Sequence, residues 1–403
     1  MSLDFDLMNP GTVQNPYPLF RELREQGPVH WSPAMNGWLV VEYEAVREAA
    51  RTQKFSVDSM GPFFEAKRKD PVVKELEAYV RHWLVMVDPP RHSRLRAAMS
   101  KGLAASRINA MEPTIRRFAD QLFDNFEQHD EVDFIREFAY PLPAMVVGKL
   151  MGVPDALLPE IKEWSDDLAQ FVSAGPGNRE QRWEIARKGS RNMAACFQEL
   201  IGKRRKQGGE DMLTQWVKNR DDGIFETDEE LIGNCQQMVF AGHETTTNLF
   251  ANGLYHLLRN PDQMTLLREG ADPATAVEEF LRYESPVHTF TRVVKEDMVF
   301  HGQELQAGQR VFAFATAAHR DPAVFANPDA LDITRTPNPH MAFGAGIHSC
   351  LGAPLARLEG KIVFEMLPQR FEDIQLLDPE PPFKPLLLLR GMEHLKLAFT
   401  PAA

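Results

Sequence analysis

The chain has 403 residues, 43% of them hydrophobic and 25% charged, with a net charge of −12. Those are the proportions of a globular protein, and an acidic balance without an arginine-rich block or zinc-finger spacing gives nucleic-acid binding no support. Three cysteines without paired spacing suit a reducing cytoplasm rather than a disulfide scaffold. Residues 1–7 mix acids with apolar side chains and contain no long apolar run, so neither a signal peptide nor a membrane anchor is expected. No linker, low-complexity tract or internal repeat divides the sequence, which predicts one large domain over residues 1–403.

Taken in order, Asn15-Pro16-Tyr17-Pro18 leads into a helix over 19–25. Apolar stretches at 29–32 and 38–42 flank Asn36-Gly37, a strong hairpin signal. Residues 60–85 carry Phe63 and Phe64, then a charged stretch, and read either as a flexible wall over a pocket or, with the better odds, as a surface connection. Asp88-Pro89-Pro90 opens the next helix, with Asp88 placed to cap it. On that helix His92 and Arg96 share a face, whereas Arg94 lies off it and is expected to be exposed. Residues 111–220 are mostly helical in pattern, with breaks near Val153-Pro154 and at 174–177. A long helix runs from Thr227 to about Arg259, and Thr227 with Glu230 has capping-box spacing. Its centre, Ala241-Gly242-His243-Glu244-Thr245-Thr246-Thr247, opposes helix formation and predicts a kink. His243-Glu244 begins a HExxH zinc motif, but Thr247 stands where the second histidine belongs, so that motif fails. Farther on, a short helix over 276–283 ends before Pro286, and Glu278 and Glu279 are both in helical reach of Arg282. Apolar or alternating runs at 293–300, 304–305 and 310–314 predict strands, and Leu386 to Leu389 is an exposed-looking apolar run.

One stretch organises the rest. Phe343-Gly344-Ala345-Gly346-Ile347-His348-Ser349-Cys350-Leu351-Gly352 holds a cysteine between a glycine-rich turn and an amphipathic helix marked by Leu355, Leu358, Ile362 and Met366. Glycines 344, 346 and 352 are expected to allow positive φ. A cysteine at a helix start has its thiolate favoured by free amides and the helix dipole. Without a CxxC partner, the economical use is as a single soft ligand to a metal that brings its other ligands, and haem is the obvious one. A lone cysteine in such a place is more often a small buried hydrophobe, but the whole decapeptide argues otherwise.

The decapeptide resembles the cysteine-loop signature of the cytochromes P450, the haem–thiolate monooxygenases, and the order of the other motifs extends that resemblance over nearly the whole chain. It implies a mainly α triangular fold with small β sheets, with haem b between the long acid–threonine helix and the helix after the cysteine loop. Cys350 would be the axial thiolate, with Phe343 packed against it and Gly352 beside it. His92, Arg96, Arg292 and His348 would hold the haem propionates. Ala241-Gly242-x-Glu244-Thr245 resembles the oxygen-activating segment, with Glu244 and Thr245 relaying protons. Glu279 with Arg282 resembles the ExxR pair, completed by Arg335 as a structural triad; the choice of Glu279 over Glu278 rests on the resemblance. Phe63, Phe64, Val239, Ala241, Val287, Phe290 and Leu387 would line an apolar substrate pocket. The implied reaction inserts one oxygen atom of O2 into a C–H bond of a hydrophobic small molecule. Its electrons would come from NAD(P)H through ferredoxin, or flavodoxin, and ferredoxin reductase. A monomer without membrane or nucleic-acid partners is expected. A peroxide-using haem–thiolate enzyme and a non-catalytic haem gas sensor or carrier are the rival functions.

Overall fold

Asn36 turns the first hairpin in a left-handed backbone conformation, φ 46°, and pairs Val29–Ser32 with Gly37–Val40 in antiparallel register. The computed structural model describes residues 9–126, 129, 131–172 and 178–402. The expected break at 174–177 and the opening residues 1–7 lie outside the described residues. The fold is mainly α with small sheets. By contact the chain divides into two compact units, one of residues 1–56, 119–140 and 245–403, the other of residues 57–118 and 141–244.

The first unit holds all the named strands. Its five-stranded sheet has the spatial order Val29–Ser32, Gly37–Val40, Arg310–Phe314, Thr289–Val294, Phe55–Ser56. A smaller sheet sets Lys396–Pro401 between Val132–Asp133 and Phe371–Leu376. Both faces of the five-stranded sheet's central strands are buried, and strand alternation sends Val40 and Val311 to one cluster and Leu39, Phe312 and Phe314 to another. Phe123, Phe126, Phe138, Phe371 and Phe399 interlock at centroid separations between 4.1 and 6.2 Å, in the offset and edge-on arrangements that aromatic quadrupoles favour. Helices Pro273–Tyr283 and Ala353–Arg370 pack beside this core.

A buried ionic cluster ties three distant parts of this unit together. Glu284, 3% exposed, accepts from Tyr17 Oη at 2.5 Å, Arg390 Nε at 2.5 Å and His256 Nε2 at 3.0 Å. Arg390 also donates to the carbonyls of Val13 and Gln14. Burial pushes the Glu284 carboxyl up, but Arg390, His256 and Tyr17 outweigh burial and hold it well below the usual carboxylate range. Because the unfolded chain then binds more protons, this stability is complete above the ordinary glutamate pKa of about 4.3 and is lost as pH falls below it. Glu284→Gln is therefore expected to destabilise the protein at neutral pH and to flatten the acid limb of its stability curve. Denaturant midpoints from about pH 6 to about pH 3 check this, and a Glu284→Gln protein that follows the wild-type curve would remove Glu284 from the account.

The second unit is built mainly from helices, among them Gly61–Ala66, Pro71–Val80, Arg91–Ser100, Leu158–Val172 and Arg179–Gln207. Residues 60–85, expected as a surface connection, are a packed helical pair. Phe64, Val73, Leu76, Val80 and Trp83 share a buried cluster with Leu168, Phe171, Trp183 and Ala186. The charged residues between the two aromatics and Val80 masked a helical apolar face there. Asp88 does not cap its helix; it accepts from the Val57 amide at 3.2 Å instead. The helix Asp228–Leu258 begins in this unit and ends in the other. It starts as predicted, with Thr227 Oγ1 accepting from the Glu230 amide at 3.1 Å. The helix is α throughout, so the residues at 241–247 that oppose helix formation do not interrupt it. Val147 packs on Gly242, and Thr246 and Thr247 are buried, so tertiary packing overrides the weak local propensity.

Candidate functional site

The cysteine loop is shaped by two of its three glycines. Gly344 and Gly346 take φ 71° and 72°, a left-handed conformation that costs a side-chain-bearing residue roughly 1 kcal/mol or more. Gly352 does not need that freedom: at φ −83° it is the N-cap of Ala353–Arg370. A Cβ built on Gly352 would stand 3.8 Å from Cys350 Sγ, an ordinary contact, so the glycine there keeps the flank of the sulfur open. The Cys350 amide donates to the Phe343 carbonyl at 2.8 Å, which closes the loop, and Cys350 itself is exposed. Arg357, one helical turn into Ala353–Arg370, stands over the Phe343 ring at 4.5 Å and donates to both oxygens of Glu278. Its charged form is favoured first by Glu278, against burial, and also by the charge of Cys350. An accessible thiol at a helix start, with a fixed cation on that helix, is a donor set that fits haem iron.

Behind the loop, the two neighbouring glutamates divide their work. Glu279 receives Arg282 Nε and Nη2 at 2.7 Å each, Arg335 Nε at 3.1 and 3.2 Å, and Asn338 Nδ2 at 3.1 Å. Both Glu279 and Arg282 are wholly buried. Arg282 spends its remaining donors on the carbonyls of His319, Pro328 and Ala330. Glu278 turns the other way, to Arg357 and His340. Burial pushes the Glu278 carboxyl up, yet Arg357 and His340 bring it down to about 2. Removing Glu279 strands two guanidiniums, one of them fully buried, which costs about 3–5 kcal/mol. Glu279→Ala is expected to lose the folded protein, while Glu278→Ala, whose Arg357 partner is 45% exposed, is expected to fold. Denaturant unfolding of both variants decides it; equal losses would refute the division.

In the other unit, His92 is buried on Arg91–Ser100 and Arg96 is half-buried one turn later. Burial, then Arg96, holds the His92 imidazole below its usual pKa, against Asp88. Arg94 differs from expectation. It lies off that face but is not exposed: it donates to both oxygens of the buried Glu230 at 2.8 and 2.9 Å and to the Ile224 carbonyl at 2.5 Å. A spacing argument finds the face of a residue but not a partner 136 positions away. Arg94→Ala is expected to cost fold stability, and Arg96→Ala to cost haem retention with little loss of fold. Thermal unfolding beside haem content separates the two, and identical behaviour of both variants would contradict the assignment.

Within the acid–threonine segment, Glu244 and Thr245 are both half-buried. His243 is fully buried, with Nε2 3.7 Å from Asp166 Oδ1 on the helix Leu158–Val172. Asp166 was invisible to sequence reasoning, since no motif joins it to a helix 77 residues on. Of the pocket candidates in this unit, Phe64 and Val239 are buried, Phe63 packs edge-on against Trp183 at 5.6 Å, and Ala241 is exposed. In the first unit, Val287 bridges Leu389 and the His288 amide donates to Leu388 at 2.9 Å. The C-terminal apolar run is therefore half-buried beside Val287 rather than exposed. Gly391 lets it approach the long helix, because a Cβ there would fall 2.0 Å from Asn248 Oδ1. Leu387 packs against the cluster of Phe20, Leu39 and Phe314, and Phe290 against the sheet core, 6.0 Å from the Arg292 guanidinium. Arg292 is 9% exposed and donates to the Thr291 carbonyl; His348 ends the single turn Gly346–His348.

With this geometry in place, the comparisons with known proteins identify the class. The family profile described as Cytochrome P450 matches residues 30–399, and the chain belongs to that family. It is an oxidoreductase of the monooxygenase kind that uses haem and O2. Among its relatives, the biotin biosynthesis cytochrome P450 of Bacillus subtilis (strain 168) is 35% identical over 390 residues, covering 96% of this chain and 97% of that one. The cytochrome P450 monooxygenase PikC of Streptomyces venezuelae is 36% identical over 407 residues, 98% and 94% of the two chains. Among solved structures, CalO2 superposes with a TM-score of 0.92 at 29% identity over 100% of both chains. P450BioI in complex with an acyl carrier protein ligated to hexadec-9Z-enoic acid gives 0.89 at 33% identity, over 97% and 99%. Among the described residues no helix is long and apolar enough to cross a membrane.

Proposed function

We propose that this protein inserts one atom of O2 into a C–H bond of a hydrophobic small molecule, with haem b held by the Cys350 thiolate. The observation that carries the reading is the loop itself: two left-handed glycines, a Cys350 amide tied to Phe343, and a helix start immediately after. When bound, haem supplies the activation of dioxygen and the two-electron oxidation that no side chain offers. The chain's own groups do the rest. Cys350 Sγ would hold the iron, and Arg357 and the start of Ala353–Arg370 favour its thiolate. His92, Arg96, Arg292 and His348 offer charge-assisted hydrogen bonds to the propionates. Glu244 would take a proton from solvent, while the Thr245 hydroxyl would donate its own proton from Oγ1 and be reprotonated from the Glu244 side. Apolar side chains such as Val239, Val287 and Phe290 exclude water and orient substrate.

Electrons are assigned to NAD(P)H through ferredoxin or flavodoxin and ferredoxin reductase. One P450 domain over 1–403, acting as a cytoplasmic monomer, completes the proposal. Apolar substrates are supported by relatives: one solved neighbour is in complex with testosterone, and one relative is a vitamin D(3) 25-hydroxylase of Pseudonocardia autotrophica. The test is a screen of hydrophobic ligands for the haem absorption shift, followed by product identification with NAD(P)H, ferredoxin and reductase under air. Products that form only with added hydrogen peroxide would replace this reading with a peroxide-using enzyme, and ligand shifts without any product would favour a sensor or carrier.

A further inference from the structure

The HExxH reading fails because position 247 is threonine, yet the fold brings a different third ligand to the same histidine. One ligand atom from each of Asp166, His243 and Glu244 lies within 4.8 Å of the others. His243 Nδ1 is 3.2 Å from the Val239 carbonyl and 3.4 Å from the Ser165 hydroxyl. A carbonyl only accepts, so the Val239 contact is served by the tautomer with its hydrogen on Nδ1, and in that tautomer Nε2 presents its lone pair on the Asp166 side. Nε2 and Asp166 Oδ1 are 3.7 Å apart, a spacing that two ligands of one cation can share. An imidazole whose other nitrogen is fixed by a backbone carbonyl is also how proteins orient a metal-binding histidine.

We propose that Asp166, His243 and Glu244 form a site for a borderline divalent cation, with zinc as the fitting case. One nitrogen and two carboxylates make a zinc set, completed by water, whereas Mg2+ and Ca2+ favour oxygen throughout. Tetrahedral ligands at zinc bond lengths stand about 3.4 Å apart, so a set spread over as much as 4.8 Å must tighten by up to about 1.4 Å. The two acids can supply that movement, since Asp166 is 41% exposed and Glu244 is half-buried, while the fully buried His243 stays fixed. Lys162 is the present competitor: its ammonium is 3.8 Å from Asp166 Oδ2, and burial lowers its pKa while Glu244 and Glu163 raise it. The consequence rests on the role proposed for Glu244. Its carboxylate cannot hold zinc and carry a proton at once, so occupancy would slow proton delivery.

The test uses the intact haem-loaded protein, treated with chelator and dialysed against Zn2+ alone, with bound zinc measured by elemental analysis and Mg2+ as the control. Wild type is expected to take up one equivalent in the micromolar range. Asp166→Asn and His243→Gln are each expected to weaken uptake by about tenfold or more, and Lys162→Met to strengthen it. No stoichiometric uptake, or uptake unchanged in Asp166→Asn, overturns the site. Asp166→Asn, on a part-exposed side chain, decides the matter if His243→Gln fails to fold. Because uptake is read without turnover, it separates the two readings. Site-dependent zinc uptake that leaves oxygenation undisturbed keeps the metal site and removes Glu244 from proton delivery.

Discussion

Cys350→Ser abolishes the carbonyl band from which the family takes its name, and with it all monooxygenation, if the thiolate assignment holds. Serine preserves the size of the side chain but offers a hard, poorly ionised oxygen in place of a soft sulfur. The fold should not notice the change. The Cys350 hydrogen bond that closes the loop comes from its amide, and the glycines, the N-cap and the Glu279 cluster are untouched. Circular dichroism and unfolding should therefore match wild type while the carbonyl difference spectrum of the reduced protein loses its band. A variant that keeps the band would mean that another residue ligates the iron; Cys196 is half-buried and Cys235 fully buried, both with thiols pushed up by burial.

The second large effect concerns Glu244 and Thr245, where positioned acid–base groups are worth about 10²–10⁴ in rate. The two removals should fail differently. Glu244→Ala takes away the acid that feeds the relay, so NAD(P)H oxidation and product formation should fall together. Thr245→Ala leaves the acid but not the hydroxyl that places the proton, so NAD(P)H should still be consumed while hydrogen peroxide accumulates at the expense of product. The rival view holds that both residues only shape the helix. Product and peroxide per NAD(P)H decide: a Thr245→Ala protein as tightly coupled as wild type would remove Thr245 from the mechanism.

The sequence shows local features well and distant partnerships poorly. Glycine spacing around Cys350 and the Thr227 cap were readable because their causes lie within a few residues. The hairpin at Asn36 was readable for the same reason. Burial of Arg94 was not, because Glu230 lies on another helix. Nor was the Glu284 cluster, whose partners Tyr17, His256 and Arg390 span nearly the whole chain. The choice between Glu278 and Glu279 was degenerate by helical period, and the structure separates them by what faces each: Arg357 and His340 for one, Arg282, Arg335 and Asn338 for the other. Residues 60–85 misled because interleaved charges hid the period of two short helices. Propensity misled at 241–247, where Val147 on the helix Pro141–Leu150 packs on Gly242 and the segment stays helical.

The bracing behind the cysteine loop has a consequence for how the holoprotein is assembled. The bonds behind the loop that brace it have protein groups at both ends: Glu279 to Arg282, Arg335 and the Asp332 amide, His319 to the Met341 amide, Phe343 to the Cys350 amide. A newly made chain can thus cast this cradle before any iron reaches it. Haem uptake is then expected to be limited by access to Cys350 rather than by late folding of the bracing behind it.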